Sequence, residues 1–345
     1  MYEKFFGLTK APFSLVPDPN CIHLTAQHAD AISGLAFGVL DRKGYLVLTG
    51  EAGLGKTTAL RALSQVLSES NADTSVILAP TLTGPEFLEM ALLNFGFRDI
   101  PSSKARRLKM LEEFLIHSDA DGRVAALIVD EAHQLSPELL EELRLLGNFE
   151  TSDRKLLQIV LVGQNELNDQ LNLPQLWQFK QRITLRLSLR RLDREGVEEY
   201  IRFRWGKAGG GVEVPFSGSG MDAIAAWSSG VPRLINVLCD NCLLIAFSET
   251  RHEVDVKMVR EACEELSLPA TTIPRSAPSF AGARPVSPPG EELVPVSNDQ
   301  DGSGARPDAW TAWRPALLKR LQRRAAPAES KRPRSRAGVL SLNEP

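Results

Sequence analysis

Apolar positions along the first 190 residues follow two rhythms. Short aliphatic runs at Tyr45–Thr49, Ser75 to Leu78, Arg123 to Val129, Leu156 to Val162 and Thr184 to Leu189 have the length and composition of buried strands. Between them, apolar residues recur at helical spacing over Thr58 to Val66, Pro85 to Phe95, Ala105 to Ile116 and Pro137 to Leu146. This alternation predicts a mostly parallel five-stranded sheet with crossover helices, an αβα sandwich over residues 1–190. From Arg191 onward the rhythm is wholly helical: Asp193 to Trp205, Gly220 to Ser228, Pro232 to Phe247 and Asp255 to Leu266 form a small helical unit, 191–268. Beyond it the periodicity stops. Residues 270–345 hold 11 of the chain's 22 prolines, and the segment 269–345 is expected to be largely disordered, because it has too little apolar surface to offset its ordering entropy.

The first strand runs into Gly50-Glu-Ala-Gly53-Leu54-Gly55-Lys56-Thr57, and a helix follows. Strand, glycine loop and helix in that order are the context of a phosphate-binding P-loop. Glycines let the backbone curl until its N–H groups converge on phosphate oxygens, and the helix N-terminus adds positive potential. Gly50, Gly53, Leu54, Gly55, Lys56, Thr57 and Thr58 are therefore the expected nucleotide-binding residues, with the Thr57 hydroxyl available to Mg²⁺.

Some seventy residues on, Arg123-Val-Ala-Ala-Leu-Ile-Val-Asp130-Glu131 is an apolar strand ending in two carboxylates, the Walker B pattern. Asp130 is the expected partner of Mg²⁺, and Glu131 the base that orients and deprotonates water. The tetrapeptide Asp130-Glu131-Ala132-His133 also matches a helicase box, but no second strand-rich lobe follows Val162. His133 is then read as packing or capping near the helix announced by Ser136-Pro137. The strand ending at Val162 is followed by Gly163-Gln164-Asn165, where an amide can touch the γ-phosphate or the attacking water; Gln164 is the candidate, with Asn165 in reserve. In Gly230-Val-Pro232-Arg233, glycine ends one helix and proline starts the next, so Arg233 at its first turn can reach the γ-phosphate across a cleft.

At 345 residues and 43% hydrophobic, the chain can bury two cores. Charge divides unevenly: residues 270–345 carry a net +5 and residues 1–269 a net −8, which argues against a broad nucleic-acid surface on the folded part. Arg314 to Arg336 holds nine basic residues and one acidic one. Near 310–325, Trp310, Trp313, Leu317, Leu318 and Leu321 recur at helical spacing among basic residues, the pattern of an amphipathic helix that lies on anionic lipid, or of a basic stretch that contacts DNA. The four cysteines do not make a disulfide framework, and Cys239 and Cys242 fall on one face of an apolar helix, where core packing is expected. No apolar run reaches the roughly 20 residues that span a bilayer, and no signal sequence is seen. A reduced, cytoplasmic setting follows.

A helical lid after an αβα nucleotide domain is the arrangement of AAA+ ATPases, and the stretch from Met1 to about Leu268 resembles the general secretion pathway protein A (ExeA-like) family in particular. The resemblance rests on Met1-Tyr2-Glu-Lys-Phe5-Phe6-Gly7-Leu8, Pro12-Phe13, Pro17-Asp18-Pro19, Glu142 to Thr151, Leu156 to Gln164, Gln181-Arg182-Ile183 and Gly230 to Asp240. It implies ATP as the nucleotide, a homo-oligomeric ring or filament with ATP at subunit interfaces, Arg182 as an arginine finger acting on a neighbour, and Arg233 as the sensor 2 arginine. Phe6, Pro12 and Phe13 would lie near the adenine edge or serve in the core. The family's transmembrane helix and peptidoglycan-binding part have no counterpart in this sequence, so an ATPase module alone is expected. Its cycle would drive assembly or gating of a secretion, envelope or exopolysaccharide complex through an unidentified protein partner, at the inner membrane's cytoplasmic side. A DNA-associated regulator of transposition or recombination and a slow nucleotide switch are the alternatives.

Overall fold

Alternation along the central strands sends successive side chains into two different helical layers. The computed structural model describes residues 1–15, 23–78 and 82–266, with Pro315 and Leu317. Five strands, β1 (Tyr45–Thr49), β2 (Ala72–Ile77), β3 (Val124–Val129), β4 (Leu157–Gly163) and β5 (Ile183–Ser188), form one sheet in the order β2-β3-β4-β1-β5. All four pairings are parallel. Tyr45, Val47, Leu127, Val129, Ile159 and Leu161 face one layer, made by α3 (Gly84–Asn94), α4 (Lys104–Ala120), α5 (Pro137–Leu146), α6 (Glu166–Leu171) and α7 (Trp177–Arg182). Leu46, Leu48, Ala126, Ile128, Val160 and Val162 face the other, made by α1 (Ala26–Leu40) and α2 (Lys56–Ser68). Strands β1, β3 and β4 are buried throughout, as a parallel sheet covered on both faces requires, whereas edge strand β5 alternates between half-buried and exposed.

The fold class read from the sequence is therefore present, with element ends shifted by a few residues. The strand expected at Ser75 to Leu78 begins earlier, at Ala72, because Ala72, Asp73 and Thr74 pair with Val124, Ala125 and Ala126 despite the polarity of Asp73 and Thr74. Helix α1 was not anticipated. Its inner stripe is clear in retrospect, since His28, Ile32, Leu35, Ala36 and Val39 are all buried.

A second core joins α8 (Arg194–Lys207), α9 (Gly218–Ser228), α10 (Pro232–Ser248) and α11 (Val256–Glu265). Cys239, Cys242 and Cys263 are free thiols packed in it, and burial pushes the Cys242 thiol up to about 12. The first fifteen residues, counted with the nucleotide-binding part in the sequence, make their contacts here. Tyr2 and Phe13 are buried in this core, Thr9 N–H donates to the Ala208 carbonyl (2.8 Å), and the Arg204 guanidinium donates to the carbonyls of Pro12 (2.6 Å) and Ser14 (2.8 Å). The expectations for Pro17-Asp18-Pro19 and for the segment 269–345 lie outside the described residues, apart from Pro315 and Leu317; Leu317 is buried against the α1–α2 layer. Among the described residues, no helix is long and apolar enough to cross a membrane.

Within the helical unit, Gly230 has a φ of +73° that suits glycine, and its carbonyl accepts from Leu192 N–H at 2.9 Å. A Cβ there would lie 1.9 Å from the Leu192 carbonyl oxygen. Gly230→Ala is expected to lower the unfolding free energy by about 2 kcal/mol or more in urea melts, whereas Gly211→Ala, with nothing within 4 Å, should change it by less than about 1 kcal/mol.

Candidate functional site

Every parallel strand points its carboxyl end to the same edge of the sheet, so the loops after β1, β3 and β4 converge. The loop after β1 turns on Gly53 (φ +83°) and Gly55 (φ +92°), and α2 starts at Lys56. Both glycines are also needed for space: a Cβ on Gly53 would stand 2.9 Å from Arg233 Cβ, and one on Gly55 2.8 Å from His28 Nε2. Lys56 is buried and folds over the loop, its ammonium donating to the carbonyls of Gly50 (2.8 Å) and Glu51 (3.0 Å). Burial pulls the Lys56 pKa below the usual lysine value, and Glu131, Asp130, Glu166 and Glu51 partly counter this.

Strand β3 delivers the carboxylates. Asp130, 3% exposed, accepts from the Thr57 hydroxyl at Oδ2 (2.9 Å) and from Glu131 N–H at Oδ1 (2.9 Å). Glu131 sits at φ +51°, a left-handed conformation that costs a non-glycine residue about 1–3 kcal/mol. Its Oε2 is buried without a hydrogen-bond partner and lies 3.3 Å from His133 Nδ1, outside the alignment of a bond. A hydroxyl touching one carboxylate, with an unpaired carboxylate oxygen on the next residue, is a donor set that fits a hard divalent cation and a water molecule.

Strand β4 lies between β3 and β1, so Gln164 emerges between the carboxylates and the glycine loop. Its backbone N–H donates to His133 Nδ1 (3.4 Å), and its side-chain amide lies 3.2 Å from His133 Nε2. His133 does not cap α5; Ser136 does, accepting from Leu139 N–H. Asn165 faces the same cleft and starts α6. Arg233 is exposed at the first turn of α10, with its backbone N–H donating to the Gly53 carbonyl (3.4 Å). A cavity of about 590 Å³ runs from the glycine loop, Thr58 and Glu131 past Arg233 to Tyr200 and Asn236. That volume suits a mononucleotide. Beside it, a cleft of about 580 Å³ is bordered by Glu51, Gln164, Arg191 and Arg233. Of the aromatic opening segment, Phe13 is a core residue, while Ser14 and Leu15 line the cavity.

Arg182 stands apart from this group. It precedes Ile183, which pairs with Tyr45 at the start of β1, and it donates to the Arg144 carbonyl (3.2 Å) and the Asn148 side chain at the end of α5. One strand of five residues, about 16 Å, separates that edge from the glycine loop.

Three site contacts were missed in the sequence. His28 on α1 holds the loop from below, with Nδ1 on Thr25 Oγ1 (2.8 Å) and Nε2 on the Leu54 carbonyl (2.9 Å). Arg191 grips Glu51 with both carboxylate oxygens at 2.6–3.0 Å. His133 meets Gln164, 31 residues away in the chain. Only His28 had a local signal, its place on the apolar stripe of α1.

A model of the AAA domain family matches residues 40–171. General secretion pathway protein A of Aeromonas hydrophila is 40% identical over 258 residues, 74% of this chain and 46% of that protein. The chain thus spans about half the length of this relative. Among solved structures, Cdc6p from Pyrobaculum aerophilum is similar with a TM-score of 0.57 at 18% identity, over 74% of this chain and 70% of that one. The Aeropyrum pernix ORC2 protein in ADPNP-ADP complexes gives 0.53 at 16%, over 74% and 71%. Drosophila ORC bound to DNA gives 0.55 at 18%, over 75% and 65%. These structural likenesses establish the fold.

His28 makes loop integrity depend on pH. Since the Leu54 carbonyl can only accept, the neutral ring carries its proton on Nε2 and accepts from Thr25 at Nδ1. Burial lowers the folded pKa of His28, with the Leu54 bond acting weakly the other way. The unfolded chain therefore binds the extra proton more readily, and His28 stabilises fully above about pH 6.5 and progressively less as pH falls below it. Melting temperature should drop on acidification below that point, and His28→Asn should flatten this part of the profile while costing about 1–3 kcal/mol at pH 8.

Proposed function

As an AAA+ ATPase of the general secretion pathway protein A family, the chain is a P-loop ATP hydrolase, and on that premise we propose the roles of its residues and the process it serves. The contact of Thr57 with Asp130, beside the unpaired Glu131 oxygen, is the observation that carries the reading. Backbone N–H groups of Gly53 to Thr58 and the Lys56 ammonium hold the triphosphate, Lys56 exchanging its loop carbonyls for phosphate oxygens. Thr57 and Asp130 would hold Mg²⁺, which supplies positive charge to the phosphate oxygens. Glu131 takes a proton from water as the water oxygen bonds to the γ-phosphorus and the bond to the β–γ bridging oxygen breaks, leaving ADP and phosphate. Gln164 and Arg233 contact the γ-phosphate from the same subunit.

Arg182, a strand length from its own loop, acts on the ATP of a neighbouring copy, which makes a homo-oligomer the hydrolytic form. The 40% identity supports a role in assembling or gating a secretion or envelope complex, with the module working where ATP and reduced thiols coexist, on the cytoplasmic side. The stretch Arg314 to Arg336 favours a second reading, a DNA-associated regulator. The ATPase rate measured against protein concentration, with anionic vesicles or duplex DNA added separately, decides between them: stimulation by DNA that fades with salt supports the second reading and counts against the first.

Lys56→Ala should weaken ATP binding at least tenfold in a fluorescence titration. Glu131→Gln should retain ATP while kcat falls about 10²–10⁴-fold. Arg182→Ala should bind ATP normally yet lose the part of the rate that rises with concentration. Mixing it with Lys56→Ala should restore activity, because each variant supplies what the other lacks; mixtures as inactive as their components would refute an action in trans.

A further inference from the structure

His133 has no assigned task, yet its ring stands between two groups proposed to act on the γ-phosphate and the attacking water. The backbone of His133 is fixed: it lies in the 3-10 turn Ala132–Gln134, its carbonyl accepts from the Gln170 amide (2.8 Å), and β4 passes so close that a Cβ on Gly163 would lie 3.1 Å from His133 N. Only the ring is left to adjust. Gln164 N–H can only donate, so Nδ1 is the acceptor in that bond and the neutral ring carries its proton on Nε2. The Gln164 side-chain nitrogen stands 3.2 Å from that protonated Nε2, where two donors would meet, so the amide is assigned with its oxygen and nitrogen exchanged and its oxygen accepts from the ring. Its NH₂ is then left to donate into the cleft that Gln164 shares with Glu51 and Arg233. At the same time Glu131 Oε2 faces the Nδ1 lone pair at 3.3 Å with no proton between them, and it has no other partner.

We propose that His133 is a positioning residue for hydrolysis, whose ring turns the Gln164 amide toward the γ-phosphate and withholds a donor from Glu131, keeping that carboxylate free for water. The inference rests on the proposed role of Glu131 as base. One aromatic ring thus ties the end of β4 to the carboxylates of β3, and the two groups come into register together or not at all. His133 acts through Gln164 and Glu131 and touches neither ATP nor water.

Steady-state kinetics on the full chain test this, with fluorescent ATP titrations on each variant. His133→Ala should lower kcat about tenfold or more while ATP affinity stays within about twofold. Gln164→Ala should have a similar effect. The double variant should be no slower than the slower single one, since both remove the same alignment. His133→Asn, which keeps an acceptor near the Nδ1 position, should regain part of the loss. An unchanged kcat in His133→Ala, or losses that multiply in the double variant, overturns the proposal. A loss of ATP affinity in His133→Ala that Asn does not repair also overturns it, because it marks a merely structural histidine. Glu131→Gln, run in parallel, separates this failure from that of the wider reading: a wild-type rate in that variant removes the base itself, whatever His133 does.

Discussion

The hydrogen bond from the Thr57 hydroxyl to Asp130 joins two segments 73 residues apart, and most of the architecture exists to make it possible. Thr57 belongs to the first turn of α2, launched from β1; Asp130 directly follows β3. These strands are not neighbours in the sheet. Strand β4 lies between them, so the contact requires three parallel strands in register, all ending at one edge, with α2 starting there. The same arrangement puts Gln164 at the centre of the triad of loops. A buried carboxylate is tolerated there because both its oxygens accept hydrogen bonds.

The glycine loop is held from three directions. His28 takes the Leu54 carbonyl from the α1 side, Arg191 takes Glu51 at the mouth, and the start of α10 rests on Gly53 through the Arg233 N–H. The last of these belongs to the helical unit, which also carries the first fifteen residues and the far wall of the cavity. A nucleotide bridging loop and lid therefore bears on both units at once. Rotation of the lid against the αβα unit is the motion that such a ligand would bias.

Strained and unpaired groups gather in the same few residues. Glu131 adopts a left-handed backbone and keeps a buried oxygen without a partner, two costs that an ordinary turn would relax. They persist because the neighbouring backbone is pinned by the Gln134 N–H bond to the Glu131 carbonyl and by Gln170 on His133. On the proposed mechanism, the missing partner is a water molecule.

The chain's own order of residues determined the sheet's strands, the glycine loop and the acidic pair, because each is a local pattern: alternate apolar runs, glycines before Lys56, carboxylates after Val129. It also determined the succession of an αβα layer by helices. Strand order, the seat of the opening segment on the helical unit and the edge at which Arg182 lies were decided only in three dimensions, since they depend on pairings such as Tyr45 with Ile183 and Arg204 with Pro12. The role of His133 belongs to the same group. A histidine's chemistry follows from what faces its two nitrogens, and both of its neighbours, Glu131 and Gln164, take their places only when β3 and β4 lie side by side.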